Sequence, residues 1–141
     1  MTLDAHDVRE LAAGLSSPTS ESRDLAAEKV TDWLAVGIDP TRAAALSRAL
    51  EVAISLEDDE RALEAQLNAL SEVSALGLVP RDVLARVIAS RAWDERWATA
   101  FVEGLREDLA VAPDDDPSRT AWHTARPSSA ADRATDRPAS R

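Results

Sequence analysis

The sequence predicts an all-α protein, a short right-handed α-solenoid of about three helix pairs followed by a disordered C-terminal tail. Three observations predict it. Apolar residues recur at helical spacing from the N-terminus to about residue 111. One stretch recurs after forty residues: shifting Asp58–Leu78 back by forty places it on Pro18–Ile38, with Gly77 on Gly37, Leu78 on Ile38, Leu70 on Val30, Glu64 on Asp24 and Glu72 on Asp32. A period near forty built from helix pairs is the signature of stacked helical arrays, and three pairs are near the minimum that holds a continuous core. The large apolar residues then almost vanish after Pro113.

Each element has its own signals. The first helix is expected over Thr2–Leu15, with Val8, Leu11, Ala12 and Leu15 on one stripe and Gly14, Ser16 and Ser17 ending it. Ser17 is the expected cap of the second helix, with Pro18 at its first position, where no amide donor is needed. That helix runs to Val36, faces inward with Ala26, Val30, Trp33 and Leu34, and ends at Gly37. Asp39-Pro40 opens the third helix, which buries Leu46, Leu50, Ala53 and Ile54. The acidic cluster Glu57–Glu60 marks the start of the fourth, where the helix dipole favours negative charge. Leu63, Leu67, Leu70 and Val73 form its inner face, and Gly77 ends it. Pro80 starts the fifth helix, with Leu84, Val87 and Ile88 inward. Asp94 is the expected cap of the sixth, whose aromatic face is Trp93, Trp97, Phe101, Leu105 and Leu109, with Ala100 beside it.

The pattern resembles HEAT-type repeats, through Arg23-Asp24-Leu25-Ala26-Ala27 with Val30 in the first copy, Leu63–Leu70 in the second and, more loosely, Arg96–Leu105 in the third. Ser22 stands where the family often has a hydrophobic residue, and Leu63 takes the place of the repeat arginine. The resemblance implies a HEAT-like helical repeat domain over residues 1–111, with the second helices lining a concave face, and a role as a binding scaffold. Residues 112–141 are expected to be a disordered Ala/Pro/Ser/Asp/Arg tail, too poor in apolar surface to offset the entropy of ordering. Trp122 and His123 are its exception, a short docking motif or an incidental pair.

Charge narrows the function. The net charge is -10. The tail beyond residue 111 holds five Asp and five Arg, so the whole imbalance lies in the body. Such a body repels nucleic acid and anionic membrane and attracts a basic protein partner. The absence of a basic stripe sets nucleic-acid binding aside, although an acidic face can itself mimic nucleic acid. No signal peptide and no membrane-spanning run is visible, so a cytoplasmic location is expected. Cysteine is absent, and arginine outnumbers lysine fifteen to one, a coding bias of GC-rich bacteria.

No catalytic residue, metal ligand or cofactor site is expected. His6 and His123 have no spaced partner, and no phosphate-binding or nucleophile motif is present. Asp114–Asp116 lacks the glycine turn and distal glutamate of a calcium loop.

The candidate partner-binding surface comes from the repeat register. Asp24, Glu28 and Asp32 become Glu64, Asn68 and Glu72 after a shift of forty, and Glu103 and Glu107 after a further shift of 35 that superposes Arg96 on Arg61. These seven carboxylates read either as an acidic capture face or as a solvated helix face that keeps the chain soluble. Trp93 is a candidate anchor at its rim, while Trp33 and Trp97 fit the core. A small, acidic, cysteine-free helical chain of this kind also resembles the immunity proteins of bacterial polymorphic toxin systems, which bind and block a cognate toxin domain. The alternative is a structural or regulatory adaptor that self-associates or scaffolds a complex through the Trp-rich last helix. The oligomeric state is left open.

Overall fold

The structure, a computed structural model, describes residues 3–111, and the tail assigned to 112–141, with Trp122 and His123, lies outside them. The described residues form six α-helices and no strand: α1 (Ala5–Leu15), α2 (Ser20–Val36), α3 (Pro40–Leu56), α4 (Glu60–Ala75), α5 (Arg81–Ala89) and α6 (Arg96–Val111). None is long and apolar enough to cross a membrane.

Local chemistry sets the helix ends. Asp4 and Asp7 form a reciprocal capping box on α1, each side chain accepting the other's backbone N–H. Asp39 caps α3 with Pro40 in the first turn, and Asp59 caps α4 by accepting from Ala62 N. The cap of α2 is Thr19 rather than Ser17, so Pro18 precedes the helix instead of opening it. The Ser17 hydroxyl instead accepts from Thr19 N, and its carbonyl accepts from the Arg23 guanidinium, so Ser17 belongs to the link. The first bond of α6 runs from Thr99 N to Glu95 O, which opens the helix on Glu95, one residue beyond the expected Asp94.

At the end of α4, Gly77 N bonds to Ser74 O and Leu78 N to Val73 O. These are the two bonds of a Schellman motif, which needs the left-handed conformation that Gly77 adopts (φ 74°).

The helices pack in two rows. In one row α3 lies between α1 and α5, in the other α4 lies between α2 and α6, and α1–α2, α3–α4 and α5–α6 join the rows. The core fills the space between. Leu46, Leu50 and Ile54 of α3 and Leu67, Leu70 and Val73 of α4 are fully enclosed, and Val83, Leu84 and Val87 of α5 extend the core. Leu3 is buried ahead of α1, its N–H reaching Gly37 O.

Three helices depart from the expected pattern. Gly14 lies inside α1 and does not end it. A Cβ there would stand 2.8 Å from Ala26 Cβ, so a glycine–alanine contact is what brings α1 close to α2. In α6 the enclosed residues are Ala98, Val102 and Leu105, while Trp97, Phe101 and Leu109 are half-buried and Ala100 is exposed. A strict spacing of four advances about 40° around a helix at each step, so the aromatic row spirals off the core-facing side. Trp33 and Leu34 are likewise half-buried against the core rather than within it.

Candidate functional site

The second row is the acidic one. Helices α2, α4 and α6 carry ten acidic and five basic side chains. Helices α1, α3 and α5 carry four acidic and five basic ones. The net values are therefore -5 and +1.

Pairing sharpens the contrast. Between α3 and α5, Arg48 binds Asp82 (3.0 Å), and Arg86 binds both Asp82 (2.8 Å) and Glu51 (2.7 Å). The hydrogen bond from Arg48, helped by Arg86, holds the Asp82 carboxyl below the usual aspartate range. In the second row, Glu28, Asp32, Glu64, Glu72, Glu103 and Glu107 are exposed and have no ion-pair partner among the described residues. Asp24 is the exception. Arg61, itself exposed, approaches it at 3.9 Å from Nε to Oδ2, and the Asp24 side chain is 20% exposed.

Part of the expected stripe converges. Asp24, Glu28, Glu64 and Asn68 line a surface cleft of about 290 Å³ between α2 and α4, with Phe101 of α6 at one edge and Arg61 as its single cation. Asp32 lies in a different cleft, of about 700 Å³, between α1 and α2, and Glu28 stands on the ridge between the two. Glu72, Glu103 and Glu107 line neither cleft.

Trp93 precedes α6 and is half-buried on the core. Its indole N–H donates to Ile88 O (3.0 Å), and the Arg91 guanidinium lies 5.6 Å from the ring centre. Trp97 donates to Glu60 Oε2 (2.7 Å) and meets Phe101 edge to face.

One cluster escaped the sequence reading. Glu57, expected only as part of a helix start, is buried. Its Oε1 accepts from Arg23 Nε and Gln66 Nε2, each at 2.8 Å, and its Oε2 from Arg23 Nη2 (2.9 Å) and Asp59 N (3.1 Å). Burial pushes this carboxyl up, but the Arg23 fork, the Asp59 amide and Gln66 outweigh it and hold the group below the ordinary glutamate range. Arg91 adds bonds to Glu57 O (2.8 Å) and Ile54 O (2.7 Å). Arg23 stood out in the sequence, but nothing there pairs it with a residue 34 positions on.

Comparison with protein-family models, with curated proteins and with solved structures finds no significant match. The class is defined by fold and surface alone: a six-helix protein with charge compensated on one row of helices and left uncompensated on the other.

Proposed function

We infer that this chain is a non-enzymatic protein-binding module that captures a basic protein partner on the acidic face of α2, α4 and α6. In this reading the two rows are a short right-handed solenoid of HEAT-like pairs, and the second helices present the capture surface. The observation that carries it is the unequal pairing of charge. The α3–α5 face neutralises its carboxylates internally, whereas six carboxylates of the second row stand exposed without an internal cation. Like charges in rows cost self-repulsion, and a basic surface relieves that cost on binding. The sharpest form of the reading is an immunity protein that covers the basic surface of a toxin, a nuclease included.

The self-associating adaptor finds less support, because both indole N–H groups that would anchor it are already satisfied within the fold.

The test is capture from a bacterial lysate on the immobilised chain, eluted by a salt gradient and read by mass spectrometry. A parallel column carries Glu64→Lys, Glu72→Lys and Glu103→Lys together. The expected result is one basic protein released at moderate salt from the native chain and missing from the variant. Equal retention on both columns at low salt would refute the acidic-face reading.

A further inference from the structure

The larger cleft differs in kind from the acidic face. Its residues all come from α1 and α2, so it opens on the side of that pair where no other described helix packs. Its floor is apolar. Leu11 and Ala26 are buried beneath it, Trp33 is half-buried, and Leu25 stands 62% exposed. The close approach of Gly14 to Ala26 brings the two walls together without a large side chain between them. Both walls carry carboxylates, Asp7 and Glu10 on α1 and Glu28 and Asp32 on α2, against the single amine of Lys29.

An apolar floor between two acidic walls matches one kind of surface. A helix with a Leu- or Ile-type stripe flanked by Lys or Arg would set its stripe on Leu11, Leu25 and Trp33 and its cations against the walls. Neither feature alone would select it. A purely basic segment leaves Leu25 and Trp33 in water, and a purely apolar one covers Glu28 and Asp32, which have no ion-pair partner among the described residues, as well as Asp7 and Glu10, whose neighbours are the Asp4 N–H and His6.

We propose that the α1–α2 groove binds a basic amphipathic helix of a partner protein, which packs on this pair much as α3 and α4 pack on its other side. The proposal rests on the acidic-capture reading in that Glu28 and Asp32 serve both, and it adds an apolar anchor that the capture face lacks.

The probe is a labelled synthetic peptide of Leu and Lys, about five turns long, patterned to give one apolar stripe. Its control has the same composition in an order that spreads Leu around the helix. Both are titrated by fluorescence anisotropy against the full-length chain. The patterned peptide should bind at least about tenfold tighter than its control. Leu25→Asp, at an exposed position that tolerates charge, should remove that advantage, as should Glu10→Lys with Asp32→Lys, while circular dichroism stays native. Leu56→Asp, at an exposed leucine of α3 outside both the groove and the acidic face, should change affinity by less than about twofold.

Equal binding of the two peptides, or an unchanged affinity in Leu25→Asp, overturns the proposal. So does a dimer of the native chain that Leu25→Asp converts to monomer, since a second copy would then fill the groove. The two readings fail separately. If the Glu64, Glu72 and Glu103 reversals abolish capture of the basic partner while Leu25→Asp has no effect on peptide binding, the face stands and the groove falls. The converse result leaves the groove and removes the face.

Discussion

Glu57 shows how much one side chain can carry. Its carboxylate accepts four hydrogen bonds from three segments of the chain, so ionisation is favoured in spite of burial. Glu57→Gln would turn amide hydrogens toward Arg23 or Asp59 N and lose the charge that draws Arg23 in. We expect a loss of about 3 kcal/mol, measured by urea denaturation. Linkage fixes the pH dependence. A carboxyl lowered in the folded state contributes its full stability above its unfolded value of about 4.3, and loses that contribution as pH falls through the lower folded value. The native chain should therefore lose stability steeply on the acid side of that range, and Glu57→Gln should flatten this limb. Identical acid limbs in the two proteins would show that Glu57 does not govern it. The sequence concealed this role because Glu57 stands in an acidic run whose members Asp58 and Asp59 do sit in solvent or at a cap, as such runs ordinarily do. Only the tertiary approach of Arg23 sets it apart.

At the scale of the helix, two glycines with the same local preference behave oppositely. Gly14 and Gly104 both lie inside helices, where alanine is favoured by up to about 1 kcal/mol. Around Gly104 a Cβ meets nothing within 4 Å, so Gly104→Ala should raise the melting temperature by several degrees. At Gly14 the same change drives a methyl group into Ala26 at 2.8 Å, and overpacking of this kind costs about 1–3 kcal/mol. Gly14→Ala should lower the melting temperature, and a rise in calorimetry would mean that α1 and α2 separate freely. The helices themselves were legible, because proline, aspartate and glycine punctuate them at Asp39-Pro40, Asp59, Gly77 and Pro80. The buried side of α6 was not. Large aromatic residues drew attention to a row of spacing four, while the core is closed by Ala98 and Val102, whose size makes close packing possible.

For the whole molecule, the distribution of charge matters more than its sum. Of the expected stripe of Asp24, Glu28, Asp32, Glu64, Asn68, Glu72, Glu103 and Glu107, the shift of forty made legible the part where α2 meets α4, Asp24 and Glu28 beside Glu64 and Asn68. Its subdivision was not readable. That Asp24 pairs with Arg61, and that Asp32 lines the α1–α2 cleft instead of the α2–α4 one, depends on how the helices are rotated against their neighbours. If the face captures a basic partner, the association rate should fall steeply with ionic strength while dissociation changes little, and stopped-flow mixing at two salt concentrations measures both. A salt-independent association rate would assign the binding energy to apolar contact.

Stacked helix pairs that touch only their neighbours open from their ends, each with its own local stability. Here the Arg23 guanidinium in α2 grips the Glu57 side chain, and Arg91, between α5 and α6, grips the backbone of Glu57 and Ile54. The first and last pairs thus share one anchorage at the turn between α3 and α4. The molecule is therefore expected to open as one cooperative unit. Under native conditions the slowest amides of α2 and α6 should exchange hydrogen with a common free energy, and Arg91→Ala should uncouple α6 so that its amides exchange first.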